Sequence, residues 1–329
     1  MRNKGLFFVA ILLSLIVLVA GMAGAQGQKK LTFYYVDHGN TMADYPFWPQ
    51  YYRGIKDATE MLAPLGVEVK HLIAGEQDMQ TQEQMLRQAV AANPDGLVTT
   101  MRDPKSYETI LEPLIAKGVP IMAANIDDPR PVGERIPYLA FYGEDLRSSG
   151  TDLAEAVIAY VKKTGGKKPE VALLVSPVLG NPGWQERLQR FGERLAREYG
   201  TKCEQISDTD GSQMAAYLAK HPEVDLLCAH ESWTWYRYMS QLRSMGRTPG
   251  KDIIVACIDV SDTILQYVKD GEVAAAYDEQ QYLQGFLPLF DLYLYLTKGK
   301  LHPVRVFTGM VVDQSNASTV QEGATAGYR

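Results

Sequence analysis

Short runs of apolar and β-branched residues alternate along the chain with longer stretches in which apolar residues recur every three or four positions. The short runs predict buried strands, and the longer stretches predict amphipathic helices. The predicted strands are 31–36, 67–73, 96–100, 119–124, 138–142, 171–176, 224–229, 253–258 and 273–277. The predicted helices include 47–65, 80–92, 103–117, 146–163 and 184–199, with further helices between the later strands. This alternation predicts parallel sheets with right-handed crossovers.

The alternation runs twice along the chain, in two successive sets of roughly 120 residues, which is a common size for one domain. Each set contains enough strands for its own sheet, with helices available for both faces. The predicted fold class is therefore α/β, with two doubly wound parallel-sheet lobes.

Polar and aromatic residues follow the predicted strands directly. The segments concerned are 38–48, 76–78, 125–128, 177–184, 230–235, 259–262 and 278–281. In doubly wound sheets, ligands bind outside the carboxyl ends of the strands. Carboxylates and amides can pair with each hydroxyl of a neutral polyhydroxyl ligand, and aromatic faces can pack on its C–H groups. The pattern therefore predicts a binding site for such a ligand.

The amino terminus has the three parts of a secretory signal peptide. Arg2 and Lys4 precede an apolar run over 5–21 that only Ser14 interrupts, and small residues follow at 23–25. This layout predicts a cleavable signal peptide over 1–25 and a periplasmic or extracytoplasmic location. The alternative is an uncleaved membrane anchor, for which the apolar run is marginally short.

Charge and reactive residues exclude several classes of function. The formal net charge is −6, and it becomes −8 when the two cations of the signal peptide, Arg2 and Lys4, are removed. An acidic chain is a poor partner for nucleic acid and for anionic membranes. The five histidines are scattered, so we expect no metal site and no cofactor. The three cysteines, Cys203, Cys228 and Cys257, are interpreted as small buried apolar residues, although a disulfide between two of them stays open.

A series of short motifs carries a family resemblance by its order and spacing. In the first half these are 46–48, 65–67, 91–97, 103–104 and 118–121, and in the second half 221–225, 258–259, 270–271 and 278–285. Together they resemble the periplasmic sugar-binding proteins of ABC transporters of the ribose-binding type, which are type I periplasmic binding proteins. The resemblance covers essentially the whole mature chain.

This resemblance implies that the chain crosses between the lobes three times, near Gly143, Gln281 and Phe307. The first lobe would comprise 31–142 and 281–306, and the second lobe 143–280 and 307–319, followed by a flexible tail over 320–329. Ligand would bind in the cleft between the lobes, which would close over it by hinge bending.

For the first lobe, the resemblance and the segments after the strands imply six ligand-binding residues. These are Tyr45, Phe47, Trp48, Asp78, Asn125 and Asp127. Phe47 and Trp48 match the stacking aromatics of the family, although two aromatics at a helix start can also be core residues. Tyr45 stands where the family often has Asn. Asn125 matches a ligand-binding Asp, but Ile126 replaces the Arg that follows it, so Asp127 or Asp128 is expected to compensate, although either can be a simple loop carboxylate.

For the second lobe, the same reasoning implies seven residues. These are Asn181, Trp184, Arg187, Glu231, Trp233, Asp259 and Glu279. Asp259 matches a ligand-binding Asp at the end of a strand, Glu279 falls on a ligand-binding Gln, and Glu231 falls on a ligand-binding Asn. The Arg of the family falls near Trp184, so Arg187 is the nearest cation, and it can also be a solvated helix residue.

These departures indicate a ligand other than ribose. A larger or differently hydroxylated sugar, a sugar alcohol or a cyclitol suits the additional carboxylates, and these also leave room for an amino sugar. Burying Glu231, Asp259 and Glu279 together would be costly without donors, so ligand hydroxyls or neighbouring cations must supply them.

The expected function is therefore capture of a sugar or polyol by a monomeric extracytoplasmic protein that delivers it to an ABC transporter permease. A chemoreceptor or sensor kinase is an alternative partner for the liganded form. A glycoside-acting enzyme would need a carboxylate pair, such as Asp259 with Glu231 or Glu279. However, sugar-binding clefts use the same residues for hydrogen bonding alone, so we expect no catalysis. A repressor is excluded because a secretion signal precedes the lobes where a DNA-binding domain would stand.

Overall fold

A computed structural model describes residues 30–40, 47–75, 79–177, 182–230, 234–299 and 302–329. The predicted signal peptide over 1–25 lies outside these residues. Across the described ranges, no helix combines the length and apolar character that a membrane span requires.

Strands and helices alternate along the described chain. The strands are β1 (Leu31–Asp37), β2 (Val67–Ile73), β3 (Gly96–Thr99), β4 (Ile121–Ala124), β5 (Ala140–Gly143), β6 (Val171–Ser176), β7 (Lys202–Ser207), β8 (Leu226–Ala229), β9 (Ile254–Ile258), β10 (Ala275–Asp278), β11 (Arg305–Phe307) and β12 (Met310–Val312). The helices are α1 (Phe47–Leu62), α2 (Met79–Ala91), α3 (Pro104–Ala116), α4 (Leu146–Thr164), α5 (Pro182–Tyr199), α6 (Ser212–Lys220), α7 (Trp235–Ser244), α8 (Asp262–Lys269), α9 (Gln281–Thr297) and α10 (Ala317–Thr325).

The strands form two six-stranded sheets. The first has the order β11-β5-β4-β3-β1-β2, and its neighbouring strands all pair in parallel. The second has the order β12-β10-β9-β8-β6-β7 and is parallel except for β12, which runs antiparallel to β10. Each sheet with its helices is called a lobe below. Two doubly wound lobes were predicted, and this prediction is confirmed.

Both faces of each sheet are covered, as the pattern of β1 illustrates. Phe33 and Tyr35 point into a core that is shared with α1 and α9, whereas Tyr34 and Val36 point into a core on the opposite face. Burial on both faces explains why the central strands are continuous apolar runs and do not alternate with polar residues.

The chain passes between the two sheets three times, after β5, after β10 and after β11. Hydrogen bonds hold these crossings together: the Thr308 N–H donates to the Gly143 carbonyl at 2.8 Å, and the Thr308 hydroxyl donates to the Glu279 carbonyl at 2.8 Å. The region around the three crossings is called the hinge below. The carboxyl ends of β5 and β10 therefore lie beside it.

The structure differs from the sequence-based expectations at several elements, among them the short strands β11 and β12, which are absent from the predicted strands. The helix predicted over 47–65 ends at Leu62 and continues as a 3₁₀ turn over Ala63–Leu65, which includes a proline. Strand β7 was not predicted, because its exposed edge position permits polar residues. The tail predicted as flexible over 320–329 contains part of α10, which forms because Ala317 and Val320 pack into the core of the second lobe.

Candidate functional site

Thirteen residues were predicted to bind the ligand, six in the first lobe and seven in the second. Five of them lie outside the described residues, namely Tyr45, Asp78, Asn181, Glu231 and Trp233. The structure describes the other eight, namely Phe47, Trp48, Asn125, Asp127, Trp184, Arg187, Asp259 and Glu279.

A buried charged cluster joins the second lobe to the hinge. The Arg187 Nη2 atom lies 2.8 Å from Glu279 Oε1, and it also donates to Glu144 Oε2. All three side chains are less than a tenth exposed. Glu144 follows β5 at the first crossing and Glu279 follows β10 at the second, so one guanidinium connects two of the three crossings. Sequence reasoning identified Arg187 and Glu279 but missed Glu144.

Asp259 lies next to this cluster at the end of β9. Its backbone has a positive φ of 78°, and its N–H donates to the Tyr277 carbonyl at 2.9 Å. This left-handed conformation is uncommon for residues other than Gly, although Asp and Asn adopt it more readily than most. The Asp259 carboxyl hydrogen bonds with Glu279. The structure therefore brings together three of the predicted residues: Arg187, Asp259 and Glu279.

Burial and mutual repulsion change the protonation of the two glutamates. Burial raises the pKa of both Glu144 and Glu279 to about 8, although the positive charge of Arg187 acts in the opposite direction. The charge of Glu279 also raises the pKa of Glu144, and the charge of Asp259 raises that of Glu279. Near neutral pH the cluster therefore retains protons, and its carboxyl groups can both accept and donate hydrogen bonds.

The position of Arg187 depends on a close contact between two helices. Gly150 of α4 faces α5, and a Cβ atom at Gly150 would lie 2.1 Å from the Arg187 carbonyl oxygen. The absence of a side chain at Gly150 therefore allows the two helices to approach closely and sets the depth of Arg187 in the lobe.

His230, directly after β8, holds the start of α5 in place. Its Nε2–H donates to the Trp184 carbonyl at 3.1 Å, and the two rings are 5.9 Å apart between centroids. Burial lowers the pKa of His230 well below its usual value, and the charge of Arg187 lowers it further. His230 is therefore neutral and protonated on Nε2, which leaves Nδ1 as an acceptor.

In the first lobe, Asn125 connects the end of β4 to the hinge. It has a positive φ of 61°, and its Nδ2 donates to Gln284 Oε1 at 3.0 Å. The Gln284 Nε2 in turn donates to the Glu279 carbonyl and to the Thr308 hydroxyl, both at 3.0 Å. Gln284 is fully buried. Gln284 therefore holds the Asn125 side chain in place and also contacts the second and third crossings.

The two aromatics at the start of α1 lie in different surroundings. Trp48 is buried in the core of the first lobe, with its ring 4.9 Å from His38 and 5.4 Å from Tyr51. Phe47 is partly exposed and lies edge-on to Trp48 at 4.9 Å. Phe47 is therefore the aromatic with surface available to a ligand.

Asp127 is engaged in ion pairs within the first lobe. Its Oδ2 lies 2.9 Å from Arg305 in β11 and 3.6 Å from Arg135, and its Oδ1 accepts the Tyr138 hydroxyl. The neighbouring Asp128 binds a different arginine. These contacts tie the loop after β4 to the edge of the first sheet.

A second polar cluster, which sequence reasoning missed, lies at the ends of β1 and β3. His38 Nδ1 is 3.0 Å from the Thr100 hydroxyl, and Gln82 of α2 donates to that hydroxyl at 2.9 Å. All three are buried. Burial lowers the pKa of His38 to about 3, with a further contribution from the charge of Arg102. His38 and Thr100 directly follow β1 and β3, and this position is the signal that could have identified them, whereas Gln82 lies within α2.

Metal sites and disulfides are both absent from the part of the chain that the structure describes. No group of three or more His, Cys, Asp or Glu side chains there could hold a metal ion. The three cysteines are free. A surface cavity of about 460 Å³ lies between α5 and β7, and its lining includes Leu188, Gln189 and Cys203 but no residue of the charged cluster.

Known proteins with a similar sequence or structure provide an independent comparison. Residues 40–301 match the model of the periplasmic binding protein domain family. The xylose/arabinose-binding protein XylF of Sulfolobus acidocaldarius is 24% identical over 311 residues, which cover 88% of this chain and 75% of that protein.

Two solved structures illustrate the shared fold. A periplasmic ribose ABC transporter protein from Conexibacter woesei superposes with a TM-score of 0.73 at 20% identity, covering 91% of this chain and 97% of that one. A carbohydrate transporter from Acidothermus cellulolyticus, solved with myo-inositol, gives a TM-score of 0.70 at 22% identity, covering 91% and 99% of the two chains.

Proposed function

Because the chain belongs to the periplasmic binding protein domain family, as its motifs predicted, we propose that it captures a sugar or sugar-like polyol between its two lobes. It then delivers this solute to the membrane permease of an ABC transporter. The similarity to proteins named for xylose and arabinose, for ribose and for myo-inositol supports a neutral, hydroxyl-rich ligand.

The observation that carries this proposal is the cluster of Arg187, Glu144, Glu279 and Asp259 beside the hinge. Carboxyl groups next to one another are costly to bury unless donors satisfy them. A ligand with several hydroxyls supplies such donors, and a site that pairs each of them rejects solutes that lack one.

The charge balance of the cluster favours particular ligands. Asp259 offsets the charge of Arg187, and Glu144 and Glu279 retain protons near neutral pH, so the cluster offers no net positive charge to an anionic ligand such as a sugar acid. Neutral pentoses, hexoses and cyclitols need no such charge, and their hydroxyls can pair with the carboxyl groups. An amino sugar is the alternative, because its ammonium group would replace a proton of the cluster.

Function depends on closure of the lobes around the hinge. We assign the first lobe to 31–142 and 281–306 and the second to 143–280 and 307–319. A ligand that contacts both lobes stabilises the closed state by its differential affinity. The closed monomer would present the surface that the permease recognises, and a chemoreceptor or sensor kinase is an alternative reader of the same state.

The proposal places the protein outside the cytoplasm, with export directed by a cleavable signal over 1–25, and assigns it no catalytic activity. Asp259 and Glu279 hydrogen bond to one another. That arrangement suits acceptance of ligand hydroxyls, whereas a glycosidase requires two carboxyl groups that flank a bond at a separation of about 5 Å or more.

A thermal-shift screen tests the proposal. The panel contains pentoses, hexoses, sugar alcohols, inositols and amino sugars, and we expect at least one of them to raise the melting temperature by mass action. The shift should disappear in Asp259→Ala and persist in Asp270→Ala, which removes an exposed aspartate of the same lobe. Shifts produced only by amino acids or metal ions, with none from the panel, would refute the sugar assignment.

A further inference from the structure

The last residues of the chain run from the second lobe to the hinge and to the first lobe. Helix α10 is anchored in the second lobe, where it packs along α8 and buries Ala317 and Val320. The Gln321 side chain donates to Asp262 Oδ1 of α8 at 2.5 Å. The four residues after this helix, 326–329, are called the strap below.

The strap contacts the first lobe through Tyr328. Its ring lies 5.1 Å from that of Tyr282 in α9, with the two planes almost perpendicular. The Tyr282 hydroxyl donates to Asp57 of α1 at 3.1 Å, and Arg53 binds the same carboxylate at 2.8 Å. Tyr328 therefore packs against a side chain that is fixed to the surface of the first lobe.

The strap contacts the hinge through Arg329. Its Nη1 donates to Asp278 Oδ2 and lies 3.0 Å from the Met310 sulfur. Asp278 is the last residue of β10 and Met310 the first of β12, so the guanidinium touches the second and third crossings together. Asp278 is fully buried, and its other oxygen accepts the Gln280 N–H at 2.8 Å.

The two contacts respond differently to a hinge motion. The Arg329 contact lies at the hinge itself, where displacements are small, and a buried carboxylate retains its cationic partner because losing it is costly. Tyr328 extends from a helix of the second lobe, whereas Tyr282 belongs to a helix packed on the first lobe. Their ring contact therefore depends on the relative orientation of the lobes.

We propose that the strap, residues 326–329, is anchored at the hinge by Arg329 and favours the interlobe arrangement of this structure through the contact of Tyr328 with Tyr282. An edge-to-face aromatic pair of this kind changes a two-state ratio by about two- to tenfold. The strap thus sets how often the ligand-free protein adopts this arrangement, independently of which solute it binds.

The experiment measures the distance between the lobes in the ligand-free protein. Nitroxide labels are attached to Glu112→Cys in the first lobe and Lys220→Cys in the second, which are exposed positions. Cys203→Ser removes the native cysteine that is not fully buried. Pulsed electron paramagnetic resonance then gives the fraction of molecules at the interlobe separation of this structure.

We expect Tyr328→Ala to lower the ratio of this arrangement to the others by about two- to tenfold. The control, Tyr217→Ala, removes a ring contact of 4.2 Å with His221 inside the second lobe and should leave the distribution unchanged. Arg329→Ala should shift the distribution in the same direction as Tyr328→Ala, provided that it folds.

An unchanged distribution in Tyr328→Ala, or an equal shift in Tyr217→Ala, would overturn the proposal. Because no ligand is present, this result is separate from the outcome of the sugar screen.

Discussion

Arg187 and Gly150 are in contact through the backbone, since a Cβ atom on Gly150 would lie 2.1 Å from the Arg187 carbonyl oxygen. How deeply the Arg187 guanidinium is buried therefore depends on a glycine in the neighbouring helix α4. That glycine makes no polar side-chain contact of its own. The charged cluster and the packing of α4 on α5 are linked by this contact, and the link can be tested by mutation.

Gly150→Ala should push α5 away from α4 and displace Arg187 from Glu144 and Glu279. We expect a loss of about 1–3 kcal/mol in the free energy of unfolding, together with weaker binding of whichever sugar or polyol gives a shift in the screen. Denaturant unfolding and calorimetric titration measure the two effects. Gly133→Ala is the matched control, because a Cβ there meets no atom within 4 Å. Equal behaviour of the two variants would contradict the proposed positioning.

The charged cluster predicts how stability depends on pH. The folded-state pKa of Glu144 and Glu279 is about 8, above the value of roughly 4.3 expected in the unfolded chain. The folded state therefore binds more protons between these limits, so the free energy of unfolding falls as pH rises from about 4.5 to 8, by at most about 1.4 kcal/mol per pH unit for each proton.

Replacing both groups by Glu144→Gln and Glu279→Gln should remove this part of the slope. Denaturant unfolding at a series of pH values measures it for the native protein and the double variant. If the two curves ran parallel over the whole window, the glutamates would not be protonated as described.

Sequence patterns predicted the two lobes and three of the four residues of the charged cluster, and the fourth residue shows why the prediction was incomplete. Asp259 could be identified because it ends an apolar strand, where ligands bind in this fold class. Glu144 could not, because it stands beside Asp145, which accepts the Arg147 N–H as a helix N-cap, and a carboxylate in that position resembles an ordinary cap. Only the three-dimensional contact with Arg187 reveals it.

The aromatic pair illustrates a second limit of the sequence. Phe47 and Trp48 are adjacent and chemically similar, so the sequence predicted stacking by at least one of them, or two core aromatics, without saying which of the two would stack. Helical geometry points neighbouring residues in different directions. In the structure Trp48 enters the core, while Phe47 remains partly exposed. A pattern of one-dimensional spacing does not separate two such neighbours at the first turn of a helix.

This difference gives a prediction for the two aromatics. Trp48→Ala should cost about 3–5 kcal/mol of unfolding free energy, as large core truncations do. Phe47→Ala should leave stability nearly unchanged and weaken sugar binding by roughly 1 kcal/mol, the usual contribution of one aromatic packing contact. Denaturant unfolding and titration with the sugar that gives the largest thermal shift separate these effects. If instead Trp48→Ala mainly weakened sugar binding and Phe47→Ala mainly lowered stability, Trp48 would be the ligand-stacking residue.

The central claim is that the carboxyl groups beside the hinge bind the hydroxyls of a neutral solute. A crystal structure of the protein with the sugar or polyol from the screen tests it directly. The account predicts ligand hydroxyl oxygens within hydrogen-bonding distance of Asp259 and Glu279, between the two lobes. A ligand bound elsewhere, such as in the surface cavity between α5 and β7, with these two carboxyl groups untouched, would contradict it.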